Sequence, residues 1–309
     1  MTTAQRTAAL RHELTGPPDA PVAIVLGGVS ASRHLSRTAA DPRPGWWEAQ
    51  VGPGRAIDTN TFRVLGVDYL DGGRRADGRP ERVVTTHDQA TALAALLDTL
   101  GIERARAAIG ASYGGMVTLA FAERYPERLE QLVVISAAHE SHPMSTGLRA
   151  LHRRVVELGL EHGFANEALA LARAFAMTTY RTAREFGERF DNTPTFESET
   201  DVSFEAERYL LSRGDDFAGR FRPEYFLALS LSSDLHKVDP AAVRTPTTVV
   251  AAEGDTLVPE EQTRELARRL GGPSRYELVP TAFGHDAFLK EAEKFGRILS
   301  SVLTQSVTP

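Results

Sequence analysis

The 309-residue sequence predicts a doubly wound α/β fold: a mainly parallel sheet wrapped by helices and interrupted by a helical insertion. Three observations carry this expectation. Short, unbroken apolar runs recur along the chain, as strands buried on both faces require. Helical patterns separate those runs, and strict β-α alternation is the signature of a parallel sheet with crossover helices. The alternation then stops between about His142 and Lys237, where helix formers dominate.

The expected strands are, in order, Val22 to Leu26, Phe62 to Val67, Ala107 to Ile109, Leu132 to Ile135, Thr248 to Ala251 and Tyr276 to Val279. From Asp88 to Leu100, the residues Leu93, Leu96, Leu97 and Leu100 fall on one helical face. A second helix opens at the turn from Gly110 and runs through Ala122, with Pro126 beyond it. Glu260 to Leu270 and Ala287 to Leu303 supply two more. Within the insertion, Leu148 to Leu160 and Ala165 to Met177 read as helices, followed by a polar run from Asp191 to Asp201 and another helix from Glu205. The expected organisation is a first core segment 1–141, a helical cap 142–237 and a second core segment 238–309.

Composition excludes several classes. Lys and Arg total 35 against 41 Asp and Glu, and basic pairs such as Arg74-Arg75, Arg153-Arg154 and Arg268-Arg269 are scattered among acids, which argues against a nucleic-acid surface. The absence of cysteine removes disulfides, thiolate chemistry and Cys-ligated zinc. No metal site is expected, since no histidine pair beyond His139 and His142 has ligand spacing. Residues 1–20 carry Arg6, Arg11 and Glu13 without the apolar core of a signal peptide, and no run approaches a membrane span, so a cytoplasmic protein is expected.

The chemistry-bearing stretch is Gly110-Ala111-Ser112-Tyr113-Gly114-Gly115, a Gly-x-Ser-x-Gly sequence between an apolar run and a helix. Small neighbours let the backbone turn sharply and present Ser112 above the sheet as a nucleophile. A serine hydroxyl needs a base. Of the nine histidines, His285 follows the last strand and precedes the last helix, where a loop can aim its imidazole at the carboxyl edge of the sheet. Asp255 lies just beyond the preceding strand, with Glu253 as a rival and an N-cap as its plain structural alternative. The order Ser, Asp, His is that of the α/β-hydrolase architecture. The backbone N–H of Tyr113 and one from the Gly27-Gly28-Val29-Ser30 loop, assigned to Val29, are the expected oxyanion donors.

The sequence further resembles the homoserine O-acyltransferases of the α/β-hydrolase fold. The resemblance rests on Pro44-Gly45-Trp46-Trp47-Glu48, on Gly52-Pro53-Gly54-Arg55-Ala56-Ile57-Asp58-Thr59, on Gly110 to Gly115, on Tyr125-Pro126-Glu127-Arg128 and on Gly284-His285-Asp286-Ala287-Phe288-Leu289. It implies a ping-pong reaction: Ser112 takes an acyl group from acyl-CoA, the co-substrate of an enzyme with no permanently bound cofactor, and the hydroxyl of L-homoserine then takes it from Ser112. His285 moves the protons, and Asp255 orients it.

The stretch Leu171-Ala172-Arg173-Ala174-Phe175-Ala176, running on to Thr179-Tyr180-Arg181, resembles the family's cap motif. That implies Arg173 as the partner of the substrate carboxylate, Asp286 as the partner of its ammonium, and Tyr180 in the same pocket. A guanidinium suits such a role because it meets a carboxylate through two parallel hydrogen bonds. Acetyl-CoA is the favoured donor and succinyl-CoA the alternative, with Arg33, Arg74 and Arg75 as candidate cations for a second carboxylate. The expected task is activation of homoserine in methionine biosynthesis by a homodimer paired through cap helices. A serine esterase, an acyltransferase acting on L-serine and a non-catalytic ligand receptor are the alternatives. Ser112-Tyr113-Gly114 replaces the family's usual Ser-Met-Gly, and Leu70-Asp71-Gly72-Gly73-Arg74-Arg75 replaces a longer Gly-rich segment.

Overall fold

The computed structural model describes residues 10–304; Arg6 and the rest of 1–9, and 305–309, lie outside the described residues. The first half of the chain runs β1 (His12–Thr15), β2 (Val22–Leu26), the short pair β3 (Val51–Gly52) and β4 (Ile57–Asp58), β5 (Arg63–Val67), α1 (Thr86–Thr99), β6 (Ala107–Ala111), α2 (Tyr113–Arg124) and β7 (Leu132–Ile135). Five helices and a small hairpin follow: α3 (Pro143–His162), α4 (Ala165–Tyr180), α5 (Ala183–Arg189), β8 (Thr195–Phe196), β9 (Val202–Ser203), α6 (Glu205–Ala218) and α7 (Pro223–Asp234). The chain then returns through β10 (Thr247–Ala252), α8 (Glu260–Arg269), β11 (Ser274–Val279), α9 (Ala287–Lys290) and α10 (Ala292–Thr304).

The main sheet has the order β1-β5-β2-β6-β7-β10-β11, and every neighbouring pair is parallel except β1 with β5. Its two faces separate by the period of two that a strand imposes. Ile24 and Leu26 pack toward Leu93, Leu97, Leu119 and Phe121 of α1 and α2, while Ala23 and Val25 pack toward Trp47, Phe295 and Leu299. Helices thus cover both faces. The insertion has a smaller apolar cluster of its own, built on Val156, Leu169, Phe217 and Phe226.

Local signals explain the helix boundaries that frame the site. Thr85 and Asp88 form a reciprocal capping box at the start of α1. At α3, the His142 side chain accepts from the Met144 N–H, Pro143 occupies the first turn and Gly163 closes the helix in the left-handed conformation. One expectation needs correction: the single helix expected over 287–303 is two, separated at Glu291. The edge strand β1 adds to the expected strands. The polar run 191–201 carries part of the β8–β9 hairpin.

Candidate active site

Ser112 sits where β6 ends and α2 begins, with φ 55° and ψ −122°. A non-glycine residue held at positive φ costs free energy and persists only where its surroundings impose it. Here they do. The Ser112 N–H bonds the Ile135 carbonyl at 2.8 Å and the Gly114 N–H bonds the Gly27 carbonyl at 2.9 Å, pinning the turn between β7 and β2. A Cβ at Gly114 would lie 2.3 Å from the Leu26 carbonyl oxygen, so no other residue fits there without moving backbone.

The structure brings Ser112, His285 and Asp255 into one hydrogen-bonded line. The Ser112 hydroxyl donates to His285 Nε2 at 2.8 Å, and His285 Nδ1 donates to Asp255 Oδ2 at 2.7 Å. The other Asp255 oxygen accepts the backbone N–H groups of Leu257 (2.9 Å) and Val258 (3.0 Å), which fixes the carboxylate in the loop after β10. Burial opposes the charged imidazole, but the Asp255 charge and hydrogen bond outweigh it, helped by Asp286, so the His285 pKa lies above 6.5; the Arg149 cation acts in the opposite sense. Among the described residues, the carboxylate bonded to His285 is that of Asp255, not that of Glu253, the alternative.

Tyr113 follows Ser112 in the chain, and Val29 follows β2, the neighbour of β6 in the sheet. Both line the cavity above Ser112, and among the described residues neither backbone N–H has a partner. Two free donors beside a nucleophile, one of them at the N-terminus of α2 and the other in the loop after β2, are what a developing oxyanion requires. The Tyr113 side chain is buried, shares a 2.7 Å hydrogen bond with Ser232 and packs edge-on against Tyr69, whose hydroxyl in turn donates to the Gly27 carbonyl at 2.6 Å. It therefore forms a fixed wall of the cavity.

The insertion roofs this cavity and is tied to the loops that carry the triad. Thr256 donates to the Thr179 carbonyl at 3.1 Å, Thr182 donates to the Ala282 carbonyl, and Arg181 Nε meets Asp286 at 2.8 Å. Tyr180 lines the cavity, its ring 5.8 Å from that of His285. Arg173 stands one layer behind: it donates to the Tyr180 hydroxyl at 3.3 Å and lies between the rings of Tyr180 and Phe217, 4.9 Å from each, with no carboxylate partner among the described residues. Asp286 does not line the cavity, and its carboxylate is engaged by Arg181.

The cations proposed for a second carboxylate lie elsewhere. Arg33 pairs with Asp68 in a separate cleft, Arg74 faces Glu224 and Arg75 faces Asp77. The structure instead places Arg149 of α3 in the lining, a residue the sequence reading passed over. Ser136, held at φ 46° after β7, also lines the cavity, and its buried hydroxyl has no partner among the described residues.

With this geometry in view, a family model described as alpha/beta hydrolase fold matches residues 24–292. The chain is 46% identical over 299 residues to a homoserine O-succinyltransferase of Xanthomonas campestris pv. campestris, covering 97% of this chain and 80% of that protein. It belongs to the homoserine O-acyltransferase family of α/β-hydrolase-fold proteins. Other members include a homoserine O-acetyltransferase of Geobacter sulfurreducens, 34% identical over 86% of this chain and 81% of that one. A serine O-succinyltransferase of Litchfieldella anticariensis is 30% identical over 95% and 91%. Among solved structures, a homoserine O-acetyltransferase from Bacillus anthracis superposes with a TM-score of 0.86 at 18% identity, covering 97% of this chain and 93% of that one, which shows the common fold.

In this acyltransferase chain, Trp46 and Trp47 brace the site without entering it. The two indoles stack 5.1 Å apart. Trp46 donates to the Ser32 carbonyl at 3.1 Å and packs against Gly27, holding the loop that carries Val29. Trp47 donates to the Phe288 carbonyl at 3.0 Å, holding the segment that follows His285. Gly45 allows this approach, because a Cβ there would lie 2.1 Å from the Leu35 carbonyl carbon.

Proposed function

We propose that this protein transfers an acyl group from acyl-CoA to the hydroxyl of L-homoserine through a Ser112-bound ester, activating homoserine for sulfur incorporation on the way to methionine. One observation carries the reading: the Ser112–His285–Asp255 line opens into a roofed cavity beside two unpartnered backbone donors, not onto open solvent. In the first half-reaction, His285 Nε2 accepts the Ser112 proton as Oγ bonds to the thioester carbonyl carbon. The Val29 and Tyr113 N–H groups stabilise the oxyanion, the C–S bond breaks, and the same proton passes to the departing thiolate. In the second, His285 takes the homoserine hydroxyl proton, the homoserine oxygen attacks the acyl carbon, and Ser112 leaves with that proton.

Transfer rather than hydrolysis depends on excluding water and holding an amino acid. The roof formed by α3, α4 and α7 supports the first. For the second, Arg173, one layer behind Tyr180, is the candidate carboxylate partner, and Asp286, paired with Arg181 next to His285 in the chain, the candidate ammonium partner; either contact requires the side chain to turn toward the cavity. The names of the relatives, homoserine and serine O-acyltransferases, support this acceptor class. The test is to supply homoserine and serine with acetyl-CoA and succinyl-CoA, following free thiol and product mass. O-acylhomoserine is expected; thiol release with no O-acyl amino acid would identify a hydrolase instead.

A further inference from the structure

Roof helix α7 holds the Tyr113 side chain in place. Ser232, wholly buried on that helix, shares a 2.7 Å hydrogen bond with the Tyr113 hydroxyl. Seven residues earlier, and so on the same helical face, Tyr225 donates its hydroxyl to the Tyr69 carbonyl at 3.2 Å. The Tyr69 ring is the one that packs edge-on against Tyr113, with 4.8 Å between centroids. The neighbouring face of α7 lines the Ser112 cavity with Phe226, Ser230 and Ser233. One helix therefore borders the substrate space and grips two tyrosines beneath it.

Both tyrosines bear on the oxyanion donors. Tyr113 opens α2, and its backbone N–H is one of the two donors beside Ser112 that have no partner among the described residues. A ring pinned at its far end restrains the backbone at the Cα from which it hangs, and with it the direction of that N–H. Tyr69 acts on the loop of the other donor: its hydroxyl donates to the Gly27 carbonyl at 2.6 Å, two residues before Val29, and the same carbonyl accepts the Gly114 N–H at 2.9 Å. Stability alone does not call for the Ser232 bond. The Tyr113 ring packs in an apolar cluster with Met116 and Val117, and pairing two buried hydroxyls gains little over two apolar groups of the same shape. What the bond adds is orientation.

We propose that Ser232 is a positioning residue: by holding the Tyr113 phenol it fixes the Tyr113 N–H toward the oxyanion formed on Ser112, which ties the oxyanion site to roof helix α7. Ser232 itself does not line the cavity and moves no proton. Its role rests on the acyl-transfer reading above for the identity of the reaction, and on the hydrogen bonds of α7 for the rest.

The test is a cycle of Ser232→Ala, Tyr113→Phe and the double variant. Each single substitution strands one buried hydroxyl and should lower Tm; the double variant strands neither, and its Tm should return toward that of the unmodified protein. Two rates are followed in each: thiol release from acyl-CoA, and covalent labelling of Ser112 by a fluorophosphonate, which also builds charge on an oxygen facing these donors. Removing an oxyanion donor outright costs roughly 10²–10³ in rate, so a donor that is loosened is expected to slow both reactions about tenfold. The slowing should be the same in all three variants, because they delete one contact, and KM for homoserine should stay within about twofold of the unmodified value. Rates that recover together with Tm in the double variant, or rates unchanged in the single variants, overturn the positioning role. Absence of thiol release by the unmodified protein with any donor overturns the acyl-transfer reading instead, and the labelling rates then still decide the role of Ser232. If a single variant does not fold, the double variant against the unmodified protein decides.

Discussion

Trp47 donates its buried indole N–H to the carbonyl of Phe288, three residues beyond His285 and 241 residues along the chain, at 3.0 Å. Gln50 repeats the link with the Ala292 carbonyl at 2.8 Å. The last catalytic-loop segment is thus fastened to the Gly45-Trp46-Trp47 stretch, which fastens the Val29 loop as well. Trp47→Phe keeps most of the apolar contact but leaves the Phe288 carbonyl unsatisfied. Such a loss costs about 1–3 kcal/mol. Urea denaturation should register that decrease, and kcat should fall with little change in KM, because the imidazole rather than a substrate contact loses its support.

The pH profile follows from His285. Its raised pKa means that protonation disables the base at pH values where a free histidine is still mostly neutral. The rate of Ser112 acylation should rise with pH along a single ascending limb centred above 6.5. The same shift stabilises the folded protein below the unfolded pKa of about 6.5, and that contribution disappears as pH rises through the folded value. Acid inactivation at this group is therefore protonation, not unfolding, and returning the pH to neutral should restore activity at once. Asp255→Asn removes the charge and the tautomer control together, and should lower kcat on the order of 10⁴-fold, as in other serine triads. Stopped-flow measurement of thiol release checks both effects.

The proximity of Ser112, Asp255 and His285 was legible because Ser112 and Asp255 each follow a fully buried apolar strand, His285 follows the next strand, and parallel strands deliver their following loops to one edge of the sheet. The edge strand His12–Thr15 was not, since it is short, partly exposed and set only by pairing with distant β5. Arg149 was hidden for another reason. Arginines on an amphipathic helix read as a solvated face, and its partner Asp234 lies 85 positions away on α7. A signal did exist: Arg149 and Arg153 are four residues apart on α3, a like-charge pairing that the carboxylate of Asp234 offsets from another helix. Asp286 shows the converse case. A motif match gave its neighbourhood, but its engagement by Arg181 depends on how the insertion docks.

Substitutions at Arg173 and Tyr180 are expected to separate the two half-reactions. Arg173 touches the Tyr180 hydroxyl, has no carboxylate partner among the described residues and does not line the cavity above Ser112, so its removal should leave acylation of Ser112 intact. Arg173→Ala is expected to raise the homoserine concentration needed for half-maximal transfer on the order of 100-fold, the loss expected for a charge-assisted carboxylate contact. Tyr180→Phe, which keeps the ring beside His285, should produce a smaller change of about tenfold. A burst of thiol release of unchanged amplitude, followed by slow turnover, is the signature in both variants. A diminished burst would place these residues in the donor step instead.

The insertion presents an apolar stripe outward. Met144 and Leu151 on α3 are 65% and 66% exposed, and Phe175 on α4 is 53% exposed. Leu158 continues the α3 stripe at the same seven-residue spacing, and Leu171 precedes Phe175 by one helical turn on α4. Exposed apolar side chains in register along two adjacent helices are a feature of subunit contacts, and a second copy meeting the same stripe through a two-fold axis would bury both. The homodimer expected from the family resemblance is accordingly proposed to form here. Light scattering on purified protein should give twice the chain mass, and Leu151→Asp should shift it to the monomer by burying a carboxylate without a partner. The substitution lies on the outer face of α3, so Ser112 labelling by a fluorophosphonate should survive in the monomer. A monomeric unmodified protein, or a dimer indifferent to Leu151→Asp, would assign the stripe to some other role.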